Sequence, residues 1–321
     1  MERLCDLFFE LSNQDRLRIL LQLSRKTMNV TNLSKKFSLT KQEVSRHVSR
    51  MSEAGLTKKA VDGSHHLTMY GKVILKQTEG LDFTSKHRNY FTSHSLTHLP
   101  QECVSRIGDL ANSTYSDDIS AVFYRIEKMI KEAEEYIFTI TDKYLLDTNF
   151  QLGEACGRGV KIENIEARDW AVDLEFHQAY MAEDVKRKAI SQARISRVLQ
   201  ERVLDRLDAY LYMSEKEVAV LGFPLSDGKF DYIGFFASDK RAHAWCRDLF
   251  QYCWERAEPR EHILEGLYTW IKKRPKTIRA LKEIAEGKQV TEEKMVSELQ
   301  NKGLMNQGRL TILALFLLQR I

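Results

Sequence analysis

The stretch that most constrains the fold runs from Asn29 to Thr68, where helix starts, a glycine stop and a tight turn follow one another at short, fixed spacings. Asn29 precedes an apolar face of Val30, Leu33 and Phe37 with Lys35 and Lys36 outside it, which predicts a short capped helix. Ser38-Leu39 turns the chain. Thr40 with Glu43 has the reciprocal spacing of a capping box, and Val44, Val48 and Met51 recur at i, i+4 and i+7, predicting a helix over 41–54. Gly55 stops that helix. Leu56 to Val61 reads as a strand, Asp62-Gly63 as a two-residue turn and His65 to Met69 as the returning strand. Upstream, Ser12 and Asp15 with Leu17, Leu20 and Leu21 predict a further helix that ends near Lys26.

The outward face of the 41–54 helix carries Lys41, Gln42, Ser45, Arg46 and Ser49, side chains that bond to base edges or phosphate without apolar bulk. Lys58, Lys59, His65 and His66 on the hairpin are expected to track a phosphate backbone. The runs Leu17-Arg18-Ile19-Leu20, Val30-Thr31-Asn32-Leu33, Val44-Ser45-Arg46-His47-Val48, Glu53-Ala54-Gly55-Leu56 and Leu67-Thr68 together resemble the winged helix-turn-helix of ArsR and TrmB-like bacterial and archaeal regulators. That resemblance covers about the first 75 residues and implies binding of double-stranded DNA, with the helix in the major groove and a homodimer reading paired half-sites. Some relatives sense metals through paired cysteines, but this helix has none and Cys5 stands alone. No metal and no cofactor are expected.

Charge follows the same division. The chain has 321 residues and a net charge of +4, yet Met1 to Leu75 carries +6, Lys76 to Glu258 carries −7 and Pro259 to Ile321 carries +5. A basic end suited to a polyanion is thus joined to a body whose sign keeps it off DNA. Only 4 Pro and 15 Gly exclude a collagenous or linker-like chain. Five scattered cysteines without a CxxC pair point to a reduced compartment, and neither a signal sequence nor a membrane-length apolar run is evident, so a cytoplasmic protein off the membrane is expected.

Residues 77–115 read as a linker containing a helix. From 116 to 258 helices alternate with strands: a helix to about Glu135, a strand at 136–141, a helix at 145–158 and a strand at 160–165, which implies parallel pairing. A long polar helix over 173–193, a strand at 209–213, a hairpin of 217–223 with 230–236, and a helix over 239–256 complete the unit. Lys128 to Thr141 and Leu152 to Ile162 resemble the phospholipase-D-like half-domain used as an effector module in TrmB-like regulators. Trp245 to Phe250 with Trp254 is similar to the middle domain of archaeal methanogenesis regulatory proteins. Active phospholipase-D enzymes use a His-x-Lys pair, which occurs nowhere here; nor do GxSxG, HExxH or a Walker loop, so no enzyme is expected.

Open α/β sheets bind ligands at strand ends, which makes Asp142, Tyr144, Arg168, Trp170, Tyr210 and Tyr212 the candidate contacts for a small polar effector. Trp170 reads equally as a core plug, and Tyr210 with Tyr212 as a face packed on a helix. In 259–321 the N-terminal grammar returns in shorter form, with Gly303-Leu304 to Leu310-Thr311 standing for Gly55-Leu56 to Leu67-Thr68 and no helix between Lys288 and Lys294. Thr311 to Leu318 is apolar nearly all round and must be buried, either against a second subunit or against its own chain. The expected architecture is a multi-domain α+β protein: a winged helix-turn-helix at 1–76, a central α/β sensor-like domain, and a C-terminal helical or degenerate winged-helix segment. The expected function is a ligand-modulated, homodimeric DNA-binding transcription regulator. The alternative is a winged-helix adaptor that binds transcription machinery, or nucleic acid without operator specificity.

Overall fold

A computed structural model describes every residue except 144, 145, 173, 174, 176, 177, 180 and 181. The chain forms two compact units, Met1–Lys86 and His87–Ile321.

The first unit contains α1 (Glu2–Leu11), α2 (Gln14–Arg25), α3 (Val30–Phe37), α4 (Lys41–Glu53), the hairpin β1 (Thr57–Lys59) with β2 (His65–Leu67), and α5 (Met69–Lys86). Ile19, Leu20, Leu23, Leu33, Val44, Val48, Met51, Leu56, Leu67 and Leu75 close its core. The start signals are realised as hydrogen bonds. Asn29 Oδ1 accepts from Asn32 N–H, and Thr40 and Glu43 exchange both bonds of a capping box. At α2 the cap is Asn13, which accepts from Arg16 N–H, rather than Ser12, whose hydroxyl donates back to Phe9 C=O. Gly55 takes φ +75°, the left-handed conformation that a side chain disfavours. Helix α1 was not legible, because no side chain caps its start. It is held from the far side: Arg16 donates to Phe9 and Glu10 C=O, and Glu10 pairs with both Arg16 (3.1 Å) and Arg50 (2.5 Å).

The second unit is built on one mixed sheet of eight strands in the order β10-β6-β5-β4-β7-β8-β9-β3. Along the chain lie α6 (Arg88–Ser93), α7 (Gln101–Ser105), β3 (Thr114–Ser116), α8 (Ile119–Glu132), β4 (Tyr136–Thr141), α9 (Leu146–Gly157), β5 (Lys161–Ala167), α10 (Asp184–Ile195), β6 (Leu199–Leu204), β7 (Tyr210–Ser214), β8 (Val218–Gly222), β9 (Gly234–Ala237), α11 (Lys240–Arg256) and β10 (Glu258–Pro259). Strands β4, β5 and β6 are parallel, as the helix–strand alternation requires, and β7 joins β4 from its other side antiparallel. Strand β6 was not anticipated: Leu199-Gln-Glu-Arg-Val-Leu204 spends its apolar positions at the ends and hides two charged residues inside.

Residues 77–115, read as a linker with a helix, are packed structure. The segment finishes α5 and then buries Tyr90 among Phe91, Tyr115 and Phe235, ring contacts whose irregular spacing leaves no periodic signal. The second strand of the 217–236 hairpin begins at Gly234 instead of Phe230, because Tyr232 is left-handed at φ +62° and breaks the extended run. Of the expected 173–193 helix, α10 covers the later part, and six of its earlier positions lie outside the described residues.

The last residues form α12 (Arg260–Ile271), α13 (Pro275–Ala285), α14 (Glu293–Asn301), the hairpin β11 (Met305–Asn306) with β12 (Arg309–Leu310), and α15 (Ile312–Leu318). The sequence repeat is a repeat of bonds. Thr68 donates its hydroxyl to Gly55 C=O at 2.6 Å and its N–H to Leu56 C=O at 3.1 Å; Thr311 does the same to Gly303 and Leu304 at the same two distances. The tail hairpin thus repeats the closing bonds of the first one. Its closing helix α15 is buried within its own chain: Ile312 N–H donates to Trp170 C=O, and the Phe316 ring lies under the guanidinium groups of Arg194 and Arg260.

Candidate functional site

On α4 the apolar positions Val44, Val48 and Met51 face the core, so helical geometry turns Lys41, Gln42, Ser45, Arg46 and Ser49 outward, where all five are exposed. Glu43 is committed to the cap, and the Thr40 N–H and hydroxyl that it accepts hold its carboxyl below the ordinary range. Ser49 donates to Glu53. Among the described residues Lys41, Arg46, Lys58 and Lys59 form no ion pair, whereas Arg50 on the same helix is bound to Glu10 and lies over the Phe9 ring. Other cations of this unit, among them Lys35 and Lys36 on α3, also form no ion pair among the described residues; what sets α4 apart is that its outward positions join Lys41 and Arg46 to three hydrogen-bonding side chains, while Lys58 and Lys59 are exposed on the wing strand β1.

His65 corrects the expected phosphate path. It is only 5% exposed, because alternation along β2 puts His65 and Leu67 inward and leaves His66 as the half-buried outward residue. Its backbone exchanges two hydrogen bonds with Met28, which covers the outer edge of the hairpin.

His47 on α4 is buried as well, and Nδ1 of each histidine has no hydrogen-bond partner. Burial, the largest cause in both, pushes their pKa down; Arg16 and Arg46 add to this at His47 against Asp15 and Glu43, and Lys59 and His66 add to it at His65. A folded-state value below the unfolded one means that stability is complete above the unfolded value and is lost as pH falls through it. Acidification from about pH 7 to about pH 5 is therefore expected to lower the protection of α4 and β2 amides against hydrogen exchange, measured relative to the intrinsic rate at each pH. His47→Gln with His65→Gln should flatten that dependence; equal protection at both pH values in the unsubstituted protein would refute it.

In the second unit three of the six proposed effector contacts come together. Tyr210 and Tyr212 have rings 5.4 Å apart, Tyr232 packs on Tyr210, and Asp142 bonds to Tyr232. The residue sequence reasoning missed is Tyr232, whose hydroxyl donates to Asp142 at 3.0 Å and whose ring packs on Tyr210 at 5.2 Å. Nothing in the sequence signalled it, since it lay inside a supposed strand. Burial pushes the Asp142 carboxyl up against the opposing effects of Tyr232 and Lys143. Tyr210 and Tyr212 are themselves fully buried, which corrects their placement at an open crevice: they pack as core. Tyr144 lies outside the described residues. Arg168 is not part of the cluster; it pairs with Asp205 and Glu258. Trp170 is a buried plug in the wall of a cavity of about 20 Å³, room for about one water.

That cavity borders a polar row which the sequence also concealed. Glu201, Asn164, Thr139 and Tyr212 are in register across β6, β5, β4 and β7, all on one buried face of the sheet. Thr139 donates to Asn164 (2.5 Å), Asn164 donates to Glu166 (2.9 Å), and Arg260 from α12 binds Glu166 and Glu201 together. Arg194 binds Glu201 with both arms, sharing Oε2 with Arg260 at 2.7 Å and taking Oε1 at 3.1 Å. Among the described residues no group of three His, Cys, Asp or Glu could hold a metal, and no helix is long and apolar enough to cross a membrane.

The first unit, with its capped α4 and its hairpin, is a winged helix-turn-helix. Residues 11–59 match the family described as a helix-turn-helix domain. Among solved structures the chain is similar to TrmBL2, an archaeal chromatin protein whose report describes a novel mode of DNA binding: 15% identity, TM-score 0.35, covering 77% of this chain and 94% of that one. It is also similar to the S-adenosylmethionine-dependent methyltransferase SibL (11%, TM-score 0.24, 62% of each chain) and to an O-methyltransferase family protein from Burkholderia thailandensis (12%, TM-score 0.20, 61% and 63%). All three are loose likenesses. No curated protein matches the chain.

Proposed function

We propose that this protein is a cytoplasmic, DNA-binding transcription regulator that acts as a homodimer and whose occupancy is tuned by a small molecule in the second unit. The observation that carries the reading is the unpaired cationic and polar face of α4, on a helix-turn-helix with Lys58 and Lys59 exposed on the wing. In this arrangement Arg46, Gln42, Ser45 and Lys41 enter the major groove, and Lys58 and Lys59 contact phosphate. Dimer formation is supported by apolar side chains exposed one turn apart, Leu4 and Phe8 on α1 and Met69 and Val73 on α5. Effector binding is supported by the half-buried Asp142–Tyr232 pair at the end of β4, between its parallel and antiparallel neighbours, with Tyr232 held in a left-handed backbone. The β4-α9-β5 unit is consistent with the phospholipase-D-like effector resemblance, used here for binding and not for catalysis.

Arg46→Ala is expected to weaken operator binding by about 1–3 kcal/mol and to relax preference at one base pair, as removal of a guanine contact does. Footprinting of the protein on its own promoter region, followed by competition with singly substituted operators, measures both. Discrete protection supports a regulator, and uniform, salt-sensitive coverage points instead to binding without operator specificity. Unaltered affinity and preference in the variant would remove Arg46 from the reading face.

A further inference from the structure

The tail carries +5, but its cations are not spread evenly. Several are neutralised by neighbours: Arg279 by Glu283 (3.0 Å), Lys288 by Glu286 (2.7 Å) and Arg320 by Glu261 (2.5 Å). The turn between α12 and α13 is different. Lys272, Lys273 and Lys276 are exposed there, and the fold brings Lys302 from the end of α14 to the same place. None of these four forms an ion pair among the described residues. Trp270 organises the group. The Arg274 guanidinium lies 4.7 Å and the Lys302 ammonium 5.4 Å from its ring centroid, and Arg274 is tied further to Trp270 C=O and, at 3.4 Å, to Glu298. Pro275 opens α13 beside them, so the positive end of that helix dipole adds to the field.

We propose that this turn is a second phosphate-binding surface, through which the protein holds the backbone of duplex nucleic acid independently of its reading helix. The Trp270 ring is already engaged by two cations, which leaves it poorly placed to stack on an unpaired base and favours backbone contact with a duplex. A lipid surface is disfavoured because Ile271, the apolar residue at the turn, is fully buried and cannot insert. The surface is not the helix that precedes the tail hairpin. Counting back from the paired glycines, Ser45 falls on Glu293, Arg46 on Lys294 and Arg50 on Glu298, so α14 keeps a cation at the Arg46 position but sets a carboxylate on either side of it. The cations instead sit at the opposite end of the preceding helix.

The inference rests on the DNA-binding reading, and one set of titrations separates the two. The full chain is titrated with a random-sequence duplex of several helical turns at salt concentrations from about 50 to about 200 mM. The unsubstituted protein is compared with a tail variant (Lys272→Gln, Lys273→Gln, Lys276→Gln) and a wing variant (Lys58→Gln, Lys59→Gln). Each lost phosphate contact takes about 0.9 from the slope of log affinity against log salt. The tail variant should therefore lose up to about 2.7 in slope, making its affinity about 40-fold less salt-sensitive over that range. Trp270→Leu should reproduce part of the loss by releasing Lys302 and Arg274. A tail variant with the unsubstituted slope, beside a wing variant whose slope falls, overturns the second surface and leaves the DNA reading standing. No duplex binding by the unsubstituted protein overturns both. Loss of binding to anionic vesicles in the tail variant with an unchanged DNA slope also overturns the proposal, in favour of lipid.

Discussion

Arg260→Ala should cost the second unit about 3–5 kcal/mol, the range seen when one member of a buried ion pair is removed and the other is left behind. Arg260 is 4% exposed and holds Glu166 and Glu201 at once. The two carboxylates are not equally placed to survive its loss. Glu201 retains Arg194, and the two guanidinium groups now overcome burial to hold its carboxyl down to about 2. Burial pushes Glu166 up, with Arg260 as the main opposing charge, and without it the Asn164 amide is left as a neutral donor. Glu166 should then fold only when protonated, so the loss should grow with pH above the ordinary carboxylate range. All four tryptophans, Trp170, Trp245, Trp254 and Trp270, belong to this unit, so urea unfolding followed by intrinsic fluorescence isolates it. Adding Glu166→Gln to Arg260→Ala should recover part of the loss. A shift below about 1 kcal/mol, the scale of an exposed pair, would show that the cluster is hydrated and not buried.

Trp245→Ala is the second large effect, again about 3–5 kcal/mol for truncating a large aromatic in a closed core. Trp245 is fully buried on α11, packs edge-on to Phe223 at 6.3 Å, and donates its indole N–H to Cys103 C=O at 3.0 Å. The substitution opens a cavity and also strands that carbonyl. Trp245→Phe should cost clearly less, since it keeps most of the volume and loses the hydrogen bond. The three remaining tryptophans report the midpoint. Equal losses for both variants would assign the whole effect to the hydrogen bond.

The first unit was legible because its signals are local. A capping box, a glycine at positive φ and an Asp-Gly turn each act within four residues; the box and Gly55 form as their residues specify, while the hairpin turns at Asp62-Gly63 through a loop one residue wider than expected, closed by Ala60 N–H on Ser64 C=O, between strands shortened to 57–59 and 65–67. What escaped was held by distant partners: α1 by Arg16 and Arg50, and β6 by Arg260, fifty-nine residues beyond Glu201. At the reading face, outward positions on α4 followed from helical period alone, whereas His65 failed because a three-residue strand has two faces and only the Met28 pairing reveals which is covered. The effector cluster was half legible. Asp142 follows from its place at a strand end, but Tyr232 arrives across 90 residues by a backbone conformation that no local pattern announces.

The Met28–His65 pairing also bears on how the strand edges are kept from extending into another chain's sheet. An uncovered strand edge invites another chain to extend the sheet. Met28 closes the outer edge of β2, residues 171 and 172 cover β12 in the tail hairpin, and the large sheet ends in the two-residue β10, with a proline, and the three-residue β3. The outer edge of β1 is then the wing's open one, and it is guarded by Lys58 and Lys59. Their charge serves twice, so replacing both with valine should cost monodispersity in the absence of DNA as well as affinity in its presence.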